Sequence, residues 1–261
     1  VFSPDGSLLY LPEYYENADQ EGKIIVRDAL SLEPIRELPS HGFKSHNVML
    51  LEQGDVLVVG HQGTSGEPTQ PKKGGCLSFI STKNGELMEK MIPEDPYLFM
   101  SHFDVGANGK IIVSAQNYYS NPVAGAEDIT LSSPLLMGSF AKSDWHAVYP
   151  ESIREKMRHN HTVVVDKKRD RALVAHMHGN IFSIWDLSQE KLIRHFDFKP
   201  QRPYGIDISA DGDFYVMGTA KGNFYVYDAE KLTQVAMIEG RQSGIFGYQG
   251  AQHLSILPNF S

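Results

Sequence analysis

The chain has 261 residues, a length that buries a sizeable core either as one large β domain or as two smaller domains. With 41% hydrophobic and 21% charged residues it has a globular composition, and no apolar run approaches the roughly 18–20 residues of a membrane span. A net charge of −8, with no basic cluster larger than "PKKGG" or "DKKRDR", argues against a nucleic-acid role, and the single cysteine, Cys76, excludes an internal disulfide, a CxxC redox pair and a thiolate zinc site.

Taken in chain order, "VFSPDGSLLYLPE" opens as strand, turn, strand. A third strand, "KIIVRDA", ends on Asp28, and "PIRELP" supplies a fourth. Next, "SHNVMLLEQGDVLVVGHQG" reads as a hairpin about Gln53-Gly54, which sets His46 opposite His61, before a Gly/Pro-rich insertion, "TSGEPTQPKKGG". The hairpin "HFDVGANGKIIVSAQ" follows, then a second insertion, "SNPVAGAEDITLSS", and the one helix candidate, "YPESIREKMRH", with Pro150 near its start. In "RHNHTVVVDKKRDRALVAHMHGN" a turn at Lys168-Arg169 sets His161 opposite His176 and His159 opposite His178. The third strand "NIFSIWDL" again ends on an aspartate, Asp186. The last complete unit runs from "YGIDISADGDFYVMG" through "NFYVYDA", ending on Asp228, to "QVAMIEG", and "QHLSIL" follows as a final inner strand.

The recurring order of weak strand, Gly/Asp/Asn turn, strongly apolar strand, Asp-terminated strand and outer strand predicts an all-β fold: a β-propeller of four-stranded antiparallel blades, of WD-repeat or YVTN-like type. The interval from His161 to Tyr204 falls in the roughly 40–45-residue period of such blades. The predicted blades are 1–40, 41–95, 96–158, 159–200 and 201–240, with a final strand at 250–258, all in one domain. Because the chain opens inside a first strand, about two further blades are expected upstream in the parent protein, giving seven.

In a propeller, the start of each first strand and the end of each second strand lie on one face around the channel mouth. His46, His102, His161 and His253 begin innermost strands, while His61, His176 and His178 end second strands. Residues two apart on a strand point to the same side, so His159, His161, His176 and His178 are expected to offer four imidazoles to one ion such as zinc, copper or iron. The candidate metal ligands are therefore His46, His61, His102, His159, His161, His176 and His178; no catalytic residue is assigned. A structural alternative stands beside this, in which the ring nitrogens satisfy buried polar groups. The loop "PEYYENADQEG" puts Glu13, Glu16 and Asp19 on the same face. No serine sits in a triad setting and no glycine pair precedes a helix, so neither a hydrolase elbow nor a phosphate cradle is read.

The segments "VFSPDGSLLYLPEYYE", "PSHGFKSHNVMLL", "MSHFDVGANG" and "YPESIREKMR" resemble successive landmarks of domain-of-unknown-function family 1513, exported seven-bladed β-propellers of twin-arginine type, often neighbouring imelysin-type proteins. The resemblance covers residues 1 to about 230, without the family's first two blades. It implies the fold, a periplasmic or otherwise exported location, and a protein partner in metal or iron uptake. His159, His161, His176 and His178 are not part of the family pattern. The function expected is thus a non-enzymatic, metal-binding or metal-delivery accessory protein; the alternatives are a propeller enzyme, either lactonase-like or metal-dependent redox, and a protein-interaction platform.

Overall fold

The computed structural model describes residues 1–15, 20–63, 74–96, 98–117, 133–142 and 144–240, and these are almost entirely β. They form five successive antiparallel sheets, four of them four-stranded, in the arrangement of a multi-bladed β-propeller. The first holds β1 (Leu8–Glu13), β2 (Lys23–Asp28) and β3 (Pro34–Pro39), with a bridge from Phe2 to Leu9. The second holds β4 (Ser45–Leu51), β5 (Val56–His61), β6 (Cys76–Ser81) and β7 (Leu87–Met91). In the third unit β8 (Leu98–Phe99) pairs outside the sheet of β9 (Phe103–Val105) and β10 (Lys110–Ser114), with β11 (Gln116–Asn117) as its partner; β12 (Leu135–Ser139) and β13 (His146–Val148) complete the sheet. The fourth consists of β14 (Asn160–Asp166), β15 (Arg171–His176), β16 (Ile181–Asp186) and β17 (Lys191–Asp197). The fifth consists of β18 (Pro203–Ile208), β19 (Phe214–Thr219), β20 (Phe224–Asp228) and β21 (Gln234–Ile238). The final inner strand expected at 250–258, His253, Glu16 and Asp19 lie outside the described residues. No helix among the described residues is long and apolar enough to cross a membrane.

The second and third strands are apolar at consecutive positions because both their faces are buried. On β5, Val56 and Val58 pack toward the third sheet while Leu57 and Val59 pack toward the first. On β15, Ala172 and Val174 face the third sheet and Leu173 and Ala175 the fifth. Strand alternation therefore divides the core into layers between blades. Each fully buried Leu, Ile or Phe in them contributes about 1.5–3 kcal/mol. Fourth strands such as β3 and β21 are largely exposed and form the outer edge.

The repeated turns have a side-chain cause. Asp28, Asp186 and Asp228 each end a third strand and accept backbone N–H bonds from the turn that follows: Ser31 N to Asp28 at 2.7 Å, Gln189 N to Asp186 at 2.8 Å and Lys231 N to Asp228 at 2.7 Å. These bonds hold all three carboxyls below the usual range; at Asp186 the largest share comes from the Ser188 hydroxyl. The turn then passes through a left-handed residue: Leu32, Glu190 or Leu232.

The helix expected over "YPESIREKMRH" is a 3-10 helix, Glu151–Lys156. The Met157 N–H closes it onto the Ile153 and Arg154 carbonyls, and the chain then turns at His159, which has φ 49°. The helix stops here because Arg158 and His159 are needed elsewhere. Their carbonyls accept the His178 and Met177 N–H groups, extending the β14–β15 hairpin toward the channel.

Candidate functional site

Three inner strands carry the same irregularity. On β4 and β5 the register runs Ser45↔His61, then Asn47↔Gly60; on β14 and β15 it runs Asn160↔His176, then Val163↔Val174; on β18 and β19 it runs Pro203↔Thr219, then Ile206↔Met217. Each inner strand thus holds one residue more than its partner, a β-bulge. This corrects the expected register. Ser45 and Asn160 occupy the places opposite His61 and His176, and the bulges set His46, His161 and Tyr204 at equivalent positions at the channel end of their blades.

The bulge separates the candidate histidines into two groups. His61 and His176 are fully buried within their own blades. The His176 ring lies 2.5 Å by Nδ1 from Asn160 Oδ1 and 2.7 Å by Nε2 from Ser183 Oγ, which in turn accepts the Trp185 indole N–H at 2.7 Å. Asn160 donates its amide to the Ser133 and Pro134 carbonyls, so its oxygen faces the ring, and His176 carries its proton on Nδ1. His61 holds the opposite tautomer: the Ser78 hydroxyl donates to the Ser40 carbonyl at 2.6 Å, so His61 Nε2 donates to Ser78 Oγ at 2.9 Å. Burial lowers both imidazoles to about 3, and they stay neutral. Gly42 packs so closely on His61 that a β-carbon there would sit 2.5 Å from Nδ1.

The other candidates form a row across three blades. Ring centroids of His46 and His102 are 4.8 Å apart, those of His102 and His161 5.1 Å, of His161 and His159 6.1 Å, and of His159 and His178 5.0 Å. Tyr204 joins from the fifth blade, its ring 5.2 Å from that of His161. Neighbouring backbones are tied beneath the row: Asn47 Nδ2 donates to the Phe103 carbonyl at 3.1 Å, and the Val165 N–H donates to Asp104 Oδ2 at 2.6 Å. The Ser114 hydroxyl lies 3.1 Å from the His102 carbonyl and 3.4 Å from the His161 carbonyl.

Electrostatically the row is most distinctive at its blade-four end. His159 is lowered to about 3, first by burial, then by His178, His161 and Arg202; His178 is lowered to about 4, first by burial, then by Arg202 and Arg158. Both rings are neutral at physiological pH. His159 Nδ1 and His178 Nε2 are buried and have no hydrogen-bond partner. The two rings meet edge to face, 77° apart in plane, as aromatic pairs commonly do. Among the described residues, no three His, Cys, Asp or Glu side chains are arranged to hold an ion together.

Other expectations fall elsewhere. Glu13 pairs with Lys23 at 3.2 Å. Tyr204, Arg158 and Arg202 were absent from the sequence-derived set. Tyr204 was detectable, since "YGIDIS" aligns with "HNVMLL" and "HTVVVD". The two arginines carried no such signal, because a lone Arg beside a turn reads as a solvated rim.

A family model described as "Protein of unknown function (DUF1513)" matches residues 1–245. No curated protein matches the chain. The match runs through all five sheets and the whole histidine row, and by it the chain belongs to the DUF1513 family.

Proposed function

We propose that the protein binds a transition metal ion, of the zinc, copper or iron class, at the histidine row, and serves as a metal-binding or metal-delivery protein. The supporting observation is the pair of buried, unpartnered nitrogens, His159 Nδ1 and His178 Nε2, on rings 5.0 Å apart. A buried polar atom without a partner costs about 1–3 kcal/mol, and a bound ion would remove that cost. Neutral imidazole is also the form that coordinates a metal, and burial keeps both rings in it. His46, His102 and His161 continue the row of rings along the channel mouth. His61 and His176, whose rings bond within their blades, would support the row from behind. An exported location and a partner in metal uptake belong to the same proposal and rest on the family resemblance.

Calorimetric titration of the protein with ZnCl2 and CuCl2, beside an H159N/H178N variant, tests this. Asparagine suits the left-handed backbone at His159, so the variant should fold. The expected result is one tight site in the native protein that is absent in the variant and survives acidification to about pH 5, well above both lowered values. Equal binding by both proteins would refute the assignment.

A further inference from the structure

The blade-four end of the row combines two kinds of group. His159 and His178 supply two nitrogen donors, and among the described residues no third His, Cys, Asp or Glu converges with them. An ion at this pair would keep most of its coordination sphere for ligands that it brings with it. Two arginines adjoin the row. Arg158 precedes His159, and its carbonyl receives the His178 N–H at 3.2 Å. Arg202 lies two residues before Tyr204, which touches the row. The charges of both bear on the His178 ring, and that of Arg202 bears on His159. Among the described residues neither guanidinium has an ion-pair or side-chain hydrogen-bond partner, whereas Lys156 nearby is paired with Asp197.

Two positive charges without a carboxylate partner among the described residues oppose a bare divalent cation and favour an anion. Two neutral imidazoles favour a metal. One class of ligand satisfies both demands. We infer that this end of the channel mouth takes its metal as an anionic chelate: a divalent ion carried by a small polycarboxylate, with His159 and His178 filling two open coordination positions and Arg158 and Arg202 pairing with the carboxylates. This rests on the metal-binding proposal and names the form in which the ion arrives. Guanidinium is suited to the role, since its planar fork matches a carboxylate and stays charged at any relevant pH.

The test uses three probes on the full chain: NiCl2, the 1:1 Ni2+–nitrilotriacetate complex, which carries a net charge of −1 and two open positions, and nitrilotriacetate alone. The chelate is expected to bind about tenfold or more tightly than the bare ion at low ionic strength, with the advantage shrinking as salt is added. An R158Q/R202Q variant should lose that advantage while binding NiCl2 at least as tightly as the native protein, and R158K/R202K, which retains the charge, should recover part of it. H159N/H178N should bind neither form. Equal affinity for NiCl2 and the chelate, or an unchanged chelate affinity in R158Q/R202Q, would overturn the chelate inference and leave the metal proposal standing. Nitrilotriacetate alone binding as tightly as its complex would also overturn the chelate inference, and binding of neither nickel form by the native protein would overturn both.

Discussion

Acidification should destabilise this fold through two residues that never touch the channel. His61 and His176 are fully buried, and burial lowers each to about 3, against about 6.5 in an unfolded chain. A group with a depressed folded value contributes stability that is complete above the unfolded pKa and is lost as pH falls through the window from about 6.5 to 3, because the unfolded chain takes up the proton first. At pH 4.5, two units below the unfolded value, the loss is roughly 2–3 kcal/mol per histidine, or about 5 kcal/mol for the pair. A whole domain has only about 5–15 kcal/mol to lose. The informative variant is His176→Gln, which can donate to Asn160 Oδ1 and accept from Ser183 as the neutral imidazole does, but does not titrate. Urea unfolding at pH 7.0, 5.5 and 4.5, followed by the fluorescence of the buried Trp185, should show the variant weaker at pH 7.0 but losing about 2–3 kcal/mol less than the native protein on going to pH 4.5. If the two proteins lost the same amount, the placement of a neutral His176 in a closed network would be wrong.

Two further outcomes follow from close contacts in the blades that carry the row. Gly179→Ala would place a β-carbon 1.7 Å from the Lys156 carbonyl oxygen, so the segment bearing His159 and His178 must separate; thermal denaturation should show a loss of at least about 2–3 kcal/mol, and an unchanged midpoint would contradict the contact. Asp104→Ala removes the acceptor of the Val165 and Val105 N–H groups, both at 2.6 Å, and should cost about 2–3 kcal/mol with faster amide exchange at Val165; unchanged exchange there would refute the β9–β14 tie.

The blade repeat was legible because its physical causes are local. Asp28, Asp186 and Asp228 cap the same turn in three blades, and second strands such as "VLVV" and "ALVA" are continuously apolar because both faces meet another blade. Register was not legible. In "SHNVM" and "NHTVV" nothing local distinguishes a flush pair from a bulge, since the extra residue is accommodated by the twist of the inner strand at the channel. From that single slip the expected quartet divided, with His176 moving inward and His161 outward. The buried role had a faint signature: Ser78 in "CLSFIS" and Ser183 in "IFSIWD" both stand opposite the residue two before the histidine. It becomes readable only once the two third strands are aligned. The helix over "YPESIREKMRH" is cut to the 3-10 helix Glu151–Lys156 for a similar reason, as local propensity competed with a hairpin extension that requires Arg158 and His159.

The inner-strand bulge has one further consequence. At His46, His161 and Tyr204 the side chain is released from the ladder, while its neighbours Ser45, Asn160 and Pro203 keep the pairing to the second strand. The second, fourth and fifth blades therefore each present a position whose occupant can change without disturbing the sheet that holds it. The side chain there is an imidazole in the fourth blade and a phenol in the fifth, so the chemistry of the mouth can change at little expense to the stack of blades behind it. The residue that sets the chemistry of the mouth and the residue that holds the sheet are thus different, separated by one position along the chain.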